Sequence, residues 1–436
     1  MWINHPPRVG GTVCLMFAAL RAPSEIMFGE GKRAALPAVA RRYGTRAFVC
    51  VDPFIAQGSE FATLLEALSN EGIDTHVFAD VVPDLPVATV AVALERARNF
   101  EPDVLIGIGG GSSIDLAKIT SALLTNRSHV RELYGEFKVL GPVLPIVAVP
   151  TTAGTGSEAT PVAVLTDPER INKVGISSPY LIPSVAICDP ELTYSCPPSV
   201  TASSGADALA HCIEALTAIR RPAHATVLLE RVFVGRGELT DALAILGIRH
   251  LSSGLQTAYR EPMNVQARAD VMFGSLLAGL AFATAGTAAA HAIQYPVGAV
   301  THTPHGVGVG TLLPFVMEFN REYCVPEMAL IARLFDASPL AQQADQDQSE
   351  AELAARAPAL VARFLGAVGI PSDLAALGFP SDKIDWAAEQ AIQAARLAEN
   401  NPRRLDLAAA KRILGAALDG NLSDTAVPLD HIGDKA

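Results

Sequence analysis

The sequence predicts an α/β chain in two parts. An N-terminal domain on a mainly parallel sheet is expected over residues 21–197, and an all-α C-terminal domain over residues 198–436. Three observations predict this. Strand-like and helix-like runs alternate from Arg21 to about Cys188, the pattern of βαβ units. A run of three glycines, Gly109 to Gly111, joins an apolar run to a helical one. After Pro197-Pro198 the texture changes to Ala, Leu and Glu at helical spacing, with few β-branched runs.

The elements follow in order. Residues 1–20 carry a short apolar stretch after Arg8 with no clean cleavage site behind it, so a loose N-terminal extension is expected rather than a signal peptide. Residues 46–51 form a short apolar run that ends at Asp52, and 74–78 form another, followed by a helical pattern over 87–99. Residues 104–108 lead through the glycines into an apolar helix over 112–124, in which Ser112 or Ser113 can cap the helix and Asp115 sits in its first turn. Residues 144–149 and 185–188 are further strands, and the domain boundary is placed at 196–199. The segment 221–240, with Arg231 and Arg236, reads as a solvated loop that can reach the cleft rim or a subunit contact. Residues 272–293 contain no Asp, Glu, Lys or Arg, yet they are Ala-rich and interrupted by glycine. They are expected to form a buried helix broken near Gly286, not a membrane span. Residues 338–352, rich in Gln, Asp and Ala, read as a solvated loop.

Composition excludes several classes. Of 436 residues 50% are hydrophobic and 18% charged, which supports buried cores and rules out a disordered chain. The net charge of −12 argues against a nucleic-acid partner, because phosphate binding draws on Lys and Arg. Six cysteines with no CxxC pair argue against a disulfide scaffold or a thiolate zinc site, and fit reduced thiols in the cytoplasm.

Two constellations carry chemistry. The strand–glycine–helix passage allows close backbone approach to a diphosphate, and the helix N-terminus beyond it favours negative charge. Asp52, at the end of the preceding strand, can accept hydrogen bonds from both ribose hydroxyls and would repel a 2′-phosphate, favouring NAD over NADP. A second loop, Pro150-Thr151-Thr152-Ala153-Gly154-Thr155-Gly156-Ser157-Glu158, offers hydroxyls and free amides. Farther on, Asp207 and His211 are spaced i, i+4 and share a helix face. His291 and His305 lie downstream, and together the four make an N3O set suited to Fe²⁺ or Zn²⁺. His224, His250 and His302 are also candidates, and spacing does not choose among them.

Taken together the motifs GGGSSIDLAK (109–118), PTTAGTGSE (150–158), SSGADALAHCIEA (203–215) and the run from His291 through Tyr295 to His305-Gly306 resemble the iron-containing (group III) alcohol dehydrogenase family, relatives of glycerol dehydrogenase and dehydroquinate synthase. The resemblance covers roughly residues 21–420. It implies a Rossmann-like dinucleotide-binding domain, a helical metal-binding domain and a cleft between them. It assigns the metal ligands to Asp207, His211, His291 and His305, and the coenzyme contacts to Asp52, Gly109, Gly110, Gly111, Ser112, Thr151, Thr152, Thr160 and Lys173. Many members carry a proton-relay histidine where this chain has Tyr295, so Tyr295 becomes the relay candidate. The implied function is metal-dependent hydride transfer between NAD and a small primary alcohol or aldehyde, in a homodimer or larger homo-oligomer free of nucleic acid and membrane. Hydroxyacid–oxoacid transhydrogenases and maleylacetate reductases of the same superfamily are the alternatives. The full set of four metal-binding residues argues against the latter.

Overall fold

Apolar runs bounded by turns recur through the first half of the chain, and four of them become strands buried on both faces. The computed structural model describes residues 17–170, 173–221, 224–336 and 348–425. Among the described residues nine strands form two sheets: β1 (Glu25–Phe28), β2 (Arg46–Val51), β3 (Asp74–Phe78), β4 (Val104–Gly109), β5 (Gly135–Glu136), β6 (Ile146–Pro150), β7 (Val162–Leu165), β8 (Val174–Ser177) and β9 (Val185–Cys188). The larger sheet has the order β1-β9-β6-β4-β2-β3 and every pairing in it is parallel, with Val49 opposite Ile106 and Ile106 opposite Val147. Parallel sheets need cover on both faces, which is why β2, β4, β6 and β9 read as continuous apolar runs. The smaller sheet is ordered β5-β8-β7, with β7 and β8 antiparallel.

Five helices lie in this half: α1 (Leu36–Arg41), α2 (Pro53–Ala56), α3 (Ser59–Asn70), α4 (Val87–Phe100) and α5 (Gly111–Asn126). One sheet face buries Phe48, Leu105 and Ile146 with α4 and α5; the other buries Val49, Ile106 and Val147 with α1 and α3. Each such fully buried side chain contributes about 1.5–3 kcal/mol.

The described residues beyond that half are mostly helical: α6 (Pro198–Thr217), α7 (Val227–Glu230), α8 (Glu238–Arg260), α9 (Val265–Ala285), α10 (Ala289–Thr301), α11 (His305–Asn320), α12 (Val325–Phe335), α13 (Glu350–Gly366), α14 (Ile384–Gln393), α15 (Ala395–Asn400) and α16 (Leu407–Asp419). The charge-free stretch is two helices, α9 and α10, parted at Gly286 as expected. By length and composition α9 could span a bilayer, but its side chains are buried inside the protein.

Several expectations need correction. The cap of α5 is Gly110, with no side-chain cap, so Ser112 and Ser113 lie inside the first turn. Asp115 lies beyond that first turn, buried; it accepts from Ser157 Oγ at 2.5 Å and Val164 N at 2.8 Å. Residues 17–20 of the N-terminal stretch are not loose: Phe17 O accepts from Glu238 N at 3.1 Å and Ala19 is buried. Residues 1–16 and the core of the 338–352 stretch lie outside the described residues, and α13 already begins at Glu350, capped by Ser349. The 221–240 segment is not a solvated loop. It contains α7 and buries Val232, Phe233 and Val234, while Arg236 pairs with Asp241 and Glu327.

Candidate metal centre and coenzyme cleft

Helix α6 presents Asp207 and His211 one turn apart, and both are buried. His291 sits in the first turn of α10, and His305 is the first residue of α11. The chain brings α11 against α6 at Gly306, where an added Cβ would stand 2.0 Å from Ser203 O. That backbone contact seats His305 beside Asp207. The result is one carboxylate oxygen among three imidazoles. Asp207 Oδ1 lies 3.6 Å from His291 Nε2, 3.6 Å from His305 Nε2 and 3.8 Å from His211 Nε2. Donor atoms of Asp207, His291 and His305 all fall within 4.8 Å of one another.

The opposite ring nitrogens are held by protein acceptors. His291 Nδ1 donates to Glu214 Oε2 at 2.5 Å, His305 Nδ1 to Gln294 Oε1 at 2.7 Å, and His211 Nδ1 to Gly154 O at 3.3 Å. In a neutral ring these bonds fix the tautomer that leaves Nε2 bare and hold the ring in the orientation a metal-binding histidine needs. Glu214 also accepts from Ala288 N at 3.0 Å and Ala290 N at 2.7 Å, so it closes the N-terminus of α10 as it orients His291.

Electrostatics agree with the geometry. Burial works to raise the Asp207 carboxyl, but His211, His305 and His291 outweigh it and hold the group well below the usual carboxylate range. Burial pushes His211 down to about 4 and His305 down to about 3, which keeps both neutral. Burial also opposes a proton on His291, yet Glu214 and Asp207 outweigh it and push that ring up to about 9. A divalent cation at the centre would displace that proton. Asp207 Oδ1 and His291 Nε2 are buried with no hydrogen-bond partner. Orphaned buried polar atoms are costly, and here they face one point that a cation fits. His224 and His250 stand elsewhere, paired with Glu230 and Asp270, and His302 lines no part of this cavity.

The same cavity, about 190 Å³, is lined by Gly111, Ser112, Thr160, Lys173 and Tyr295. Gly109 ends β4 with φ 145°, a conformation that glycine adopts readily, and a Cβ there would lie 2.4 Å from Ser113 Oγ. The Thr152 hydroxyl stands 3.3 Å from where a Cβ on Gly110 would be, and Thr151 N donates to Gly109 O at 3.0 Å. Thr151 also lines a second cleft, about 580 Å³, walled by Phe54, Ile55, Leu192 and Tyr194. Asp52 Oδ1 accepts from Phe54 N at 3.0 Å and Ile55 N at 2.9 Å, so it caps α2 beside that cleft. Lys173 is paired with Asp84, and Thr160 Oγ1 accepts from the buried Lys118.

Two family models match consecutive parts of the chain: "Iron-containing alcohol dehydrogenase" over residues 23–190 and "Fe-containing alcohol dehydrogenase family, C-terminal" over 201–418. The chain belongs to the iron-containing alcohol dehydrogenase family. Long-chain-alcohol dehydrogenase 1 of Geobacillus thermodenitrificans is 35% identical over 390 residues, 89% of this chain and 93% of its own. Sulfoacetaldehyde reductase of Bilophila wadsworthia is 30% identical over 385 residues, 87% and 92%. Among solved structures, a 1,3-propanediol oxidoreductase superposes with TM-score 0.84 at 30% identity, covering 92% of this chain and 99% of that one.

As an iron-containing alcohol dehydrogenase, the chain is an oxidoreductase acting on alcohols and depends on a metal. Sequence reasoning named Asp207, His211, His291 and His305 and missed the groups that aim them, Glu214 and Gln294. A usable signal existed for both: Glu214 lies three residues after His211 on α6, and Gln294 three after His291 on α10, so each shares a helix face with a metal-binding candidate.

Proposed function

We propose that the chain catalyses NAD-linked interconversion of a small primary alcohol and its aldehyde, with Asp207, His211, His291 and His305 holding Fe²⁺; Zn²⁺ suits the same donor set. The observation that carries this reading is the orphaned pair, Asp207 Oδ1 and His291 Nε2, buried in a cavity shared with the glycine-loop residues Gly111 and Ser112. When bound, the cation would supply Lewis acidity that lowers the pKa of the alcohol, and the nicotinamide would accept the hydride. The net change removes one hydride and one proton from the carbinol and leaves the aldehyde.

The chain's own residues position and shield this exchange. Gly109, Gly110, Gly111, Ser112, Thr151 and Thr152 cradle the diphosphate at the N-terminus of α5, while Thr160 and Lys173 stand at the nicotinamide end. Asp52 reads the adenosine ribose, and its charge favours NAD. Tyr295 stacks with His305 at a ring-centroid distance of 6.2 Å and hands on the proton. Burial, with Asp207 and Glu214, raises the Tyr295 pKa. The hydroxyl therefore stays protonated through neutral pH, and it relays by passing its own proton while accepting another. The described cysteines are free thiols, which supports a reducing, cytoplasmic setting.

NAD-linked oxidation of a primary-alcohol panel, with and without chelator, tests the reading. Activity indifferent to metal removal overturns it.

A further inference from the structure

Two cations line the metal cavity, and they differ in one respect. Lys173 is paired with Asp84. Arg396, on α15, has its guanidinium over the Phe233 ring at 4.3 Å and makes no hydrogen bond or ion pair among the described residues. Stacking on one ring uses the face of the guanidinium and leaves the in-plane N–H donors unspent.

No carboxylate pairs directly with it among the described residues; Glu136 and Glu214 act on it only at a distance. Glu136 acts electrostatically on Arg21, Arg221 and Arg396 together, and it already accepts from Val232 N at 2.8 Å. Arg21 spends its donors on the carbonyls of Leu228, Arg231 and Val232. Arg221 Nε is itself buried without a partner. Glu214 is committed to His291, Ala288 and Ala290. Arg396 is half-buried; burial lowers its pKa, while Tyr295, Glu136 and Glu214 work to raise it. An anionic ligand in the cavity can pair with the unspent N–H donors. Tyr295 stacks with His305 and lines the same cavity as Arg396, so the guanidinium and the candidate metal cluster share one cavity.

We propose that Arg396, seated on Phe233, is a specificity-determining residue that binds an oxyanionic group on the substrate, so that the preferred alcohols and aldehydes carry a carboxylate or a sulfonate. The inference rests on the dehydrogenase reading above. A planar guanidinium takes either oxyanion in a fork of two charge-assisted hydrogen bonds.

The test is kcat/KM on isosteric pairs with the metal-loaded enzyme and NAD: 3-hydroxypropanoate against 3-methyl-1-butanol, and 2-hydroxyethanesulfonate against 3,3-dimethyl-1-butanol. The anion is preferred in at least one pair, and the pair that shows it identifies the oxyanion. Arg396→Gln lowers the anion-to-neutral ratio about tenfold or more, chiefly through KM, and Arg396→Lys restores part of it. Calorimetric titration with ethanesulfonate and propanoate reads binding without turnover, and the heat of the preferred anion is lost in Arg396→Gln. A ratio unchanged in Arg396→Gln, or a wild-type preference for the neutral alcohols, overturns the inference while leaving the dehydrogenase standing. Absence of metal-dependent turnover on every alcohol overturns both.

Discussion

Glu214 accepts a hydrogen bond from His291 at 2.5 Å although 77 residues separate them, and the same carboxylate accepts from the backbone N–H groups of Ala288 and Ala290. Burial works to raise Glu214, but His291 outweighs it and keeps the carboxyl below its ordinary pKa. The charge therefore persists in the interior and sets the orientation and basicity of the His291 ring. Glu214→Gln keeps the shape and removes the charge. It should weaken metal affinity roughly 10- to 100-fold, as loss of a carboxylate that orients a metal-binding histidine does. Metal titration followed by elemental analysis checks this; unchanged affinity would mean that Glu214 only closes the helix.

Asp52 has two duties that one substitution can separate. Its Oδ1 caps α2, and under the proposed function its charge reads the adenosine ribose. Asp52→Ser keeps a capping oxygen, so stability should change by less than the roughly 1 kcal/mol that losing a cap costs. The NADP-to-NAD ratio of kcat/KM should rise about tenfold or more, because a like-charge clash is removed. A ratio that stays put assigns the ribose contact to another residue.

Gly306 fixes the distance between α11 and α6. Gly306→Ala forces a Cβ against the Ser203 carbonyl, 2.0 Å away before relaxation. The expected destabilisation is about 1–3 kcal/mol by urea unfolding, with weaker metal binding as His305 is displaced from Asp207. A variant as stable as the wild type would show that the helices part without cost.

Glu158 gives a pH signature. It is buried, and burial pushes its carboxyl up to about 7 against the pull of its own backbone N–H and Lys118. In the unfolded chain it titrates near about 4.3. The folded state therefore disfavours the charged form. The contribution to stability is full below about 4.3, falls as pH rises towards 7 and is level above it. Glu158→Gln should flatten that decline in urea midpoints between those limits; an unaltered slope contradicts the assignment.

Much of the fold was legible because a parallel sheet imposes an unmistakable pattern. The runs at 46–51 and 185–188 became β2 and β9 with those limits, since strands covered on both faces leave few polar positions to blur the ends. The run at 74–78 became β3 with its limits too, although it is a half-buried edge strand that opens on Asp74-Thr75-His76. β1 was missed because four residues at a sheet edge bury little, and β5 because two residues carry no period. Ser112 and Ser113 were misread as caps because glycine can cap without any side chain. At the site, the motifs pointed to the candidate metal-binding residues, but Glu214 is aimed at His291 77 residues on, Arg396 sits on the distant Phe233, and Gln294 meets His305 only because α10 turns back into α11. The 221–240 segment misled for the same reason: its arginines suggested solvent, while Val232, Phe233 and Val234 between them pack inside.

Under the proposed function one divalent cation sits at Asp207, His211, His291 and His305 and is needed for hydride transfer. The direct measurement is metal content and alcohol oxidation in the wild type and His291→Ala, with NADH fluorescence titration on both. About one equivalent of metal per chain in the wild type, with metal and turnover lost together in the variant while NADH still binds, is the predicted result. Full turnover in a variant stripped of metal would contradict it.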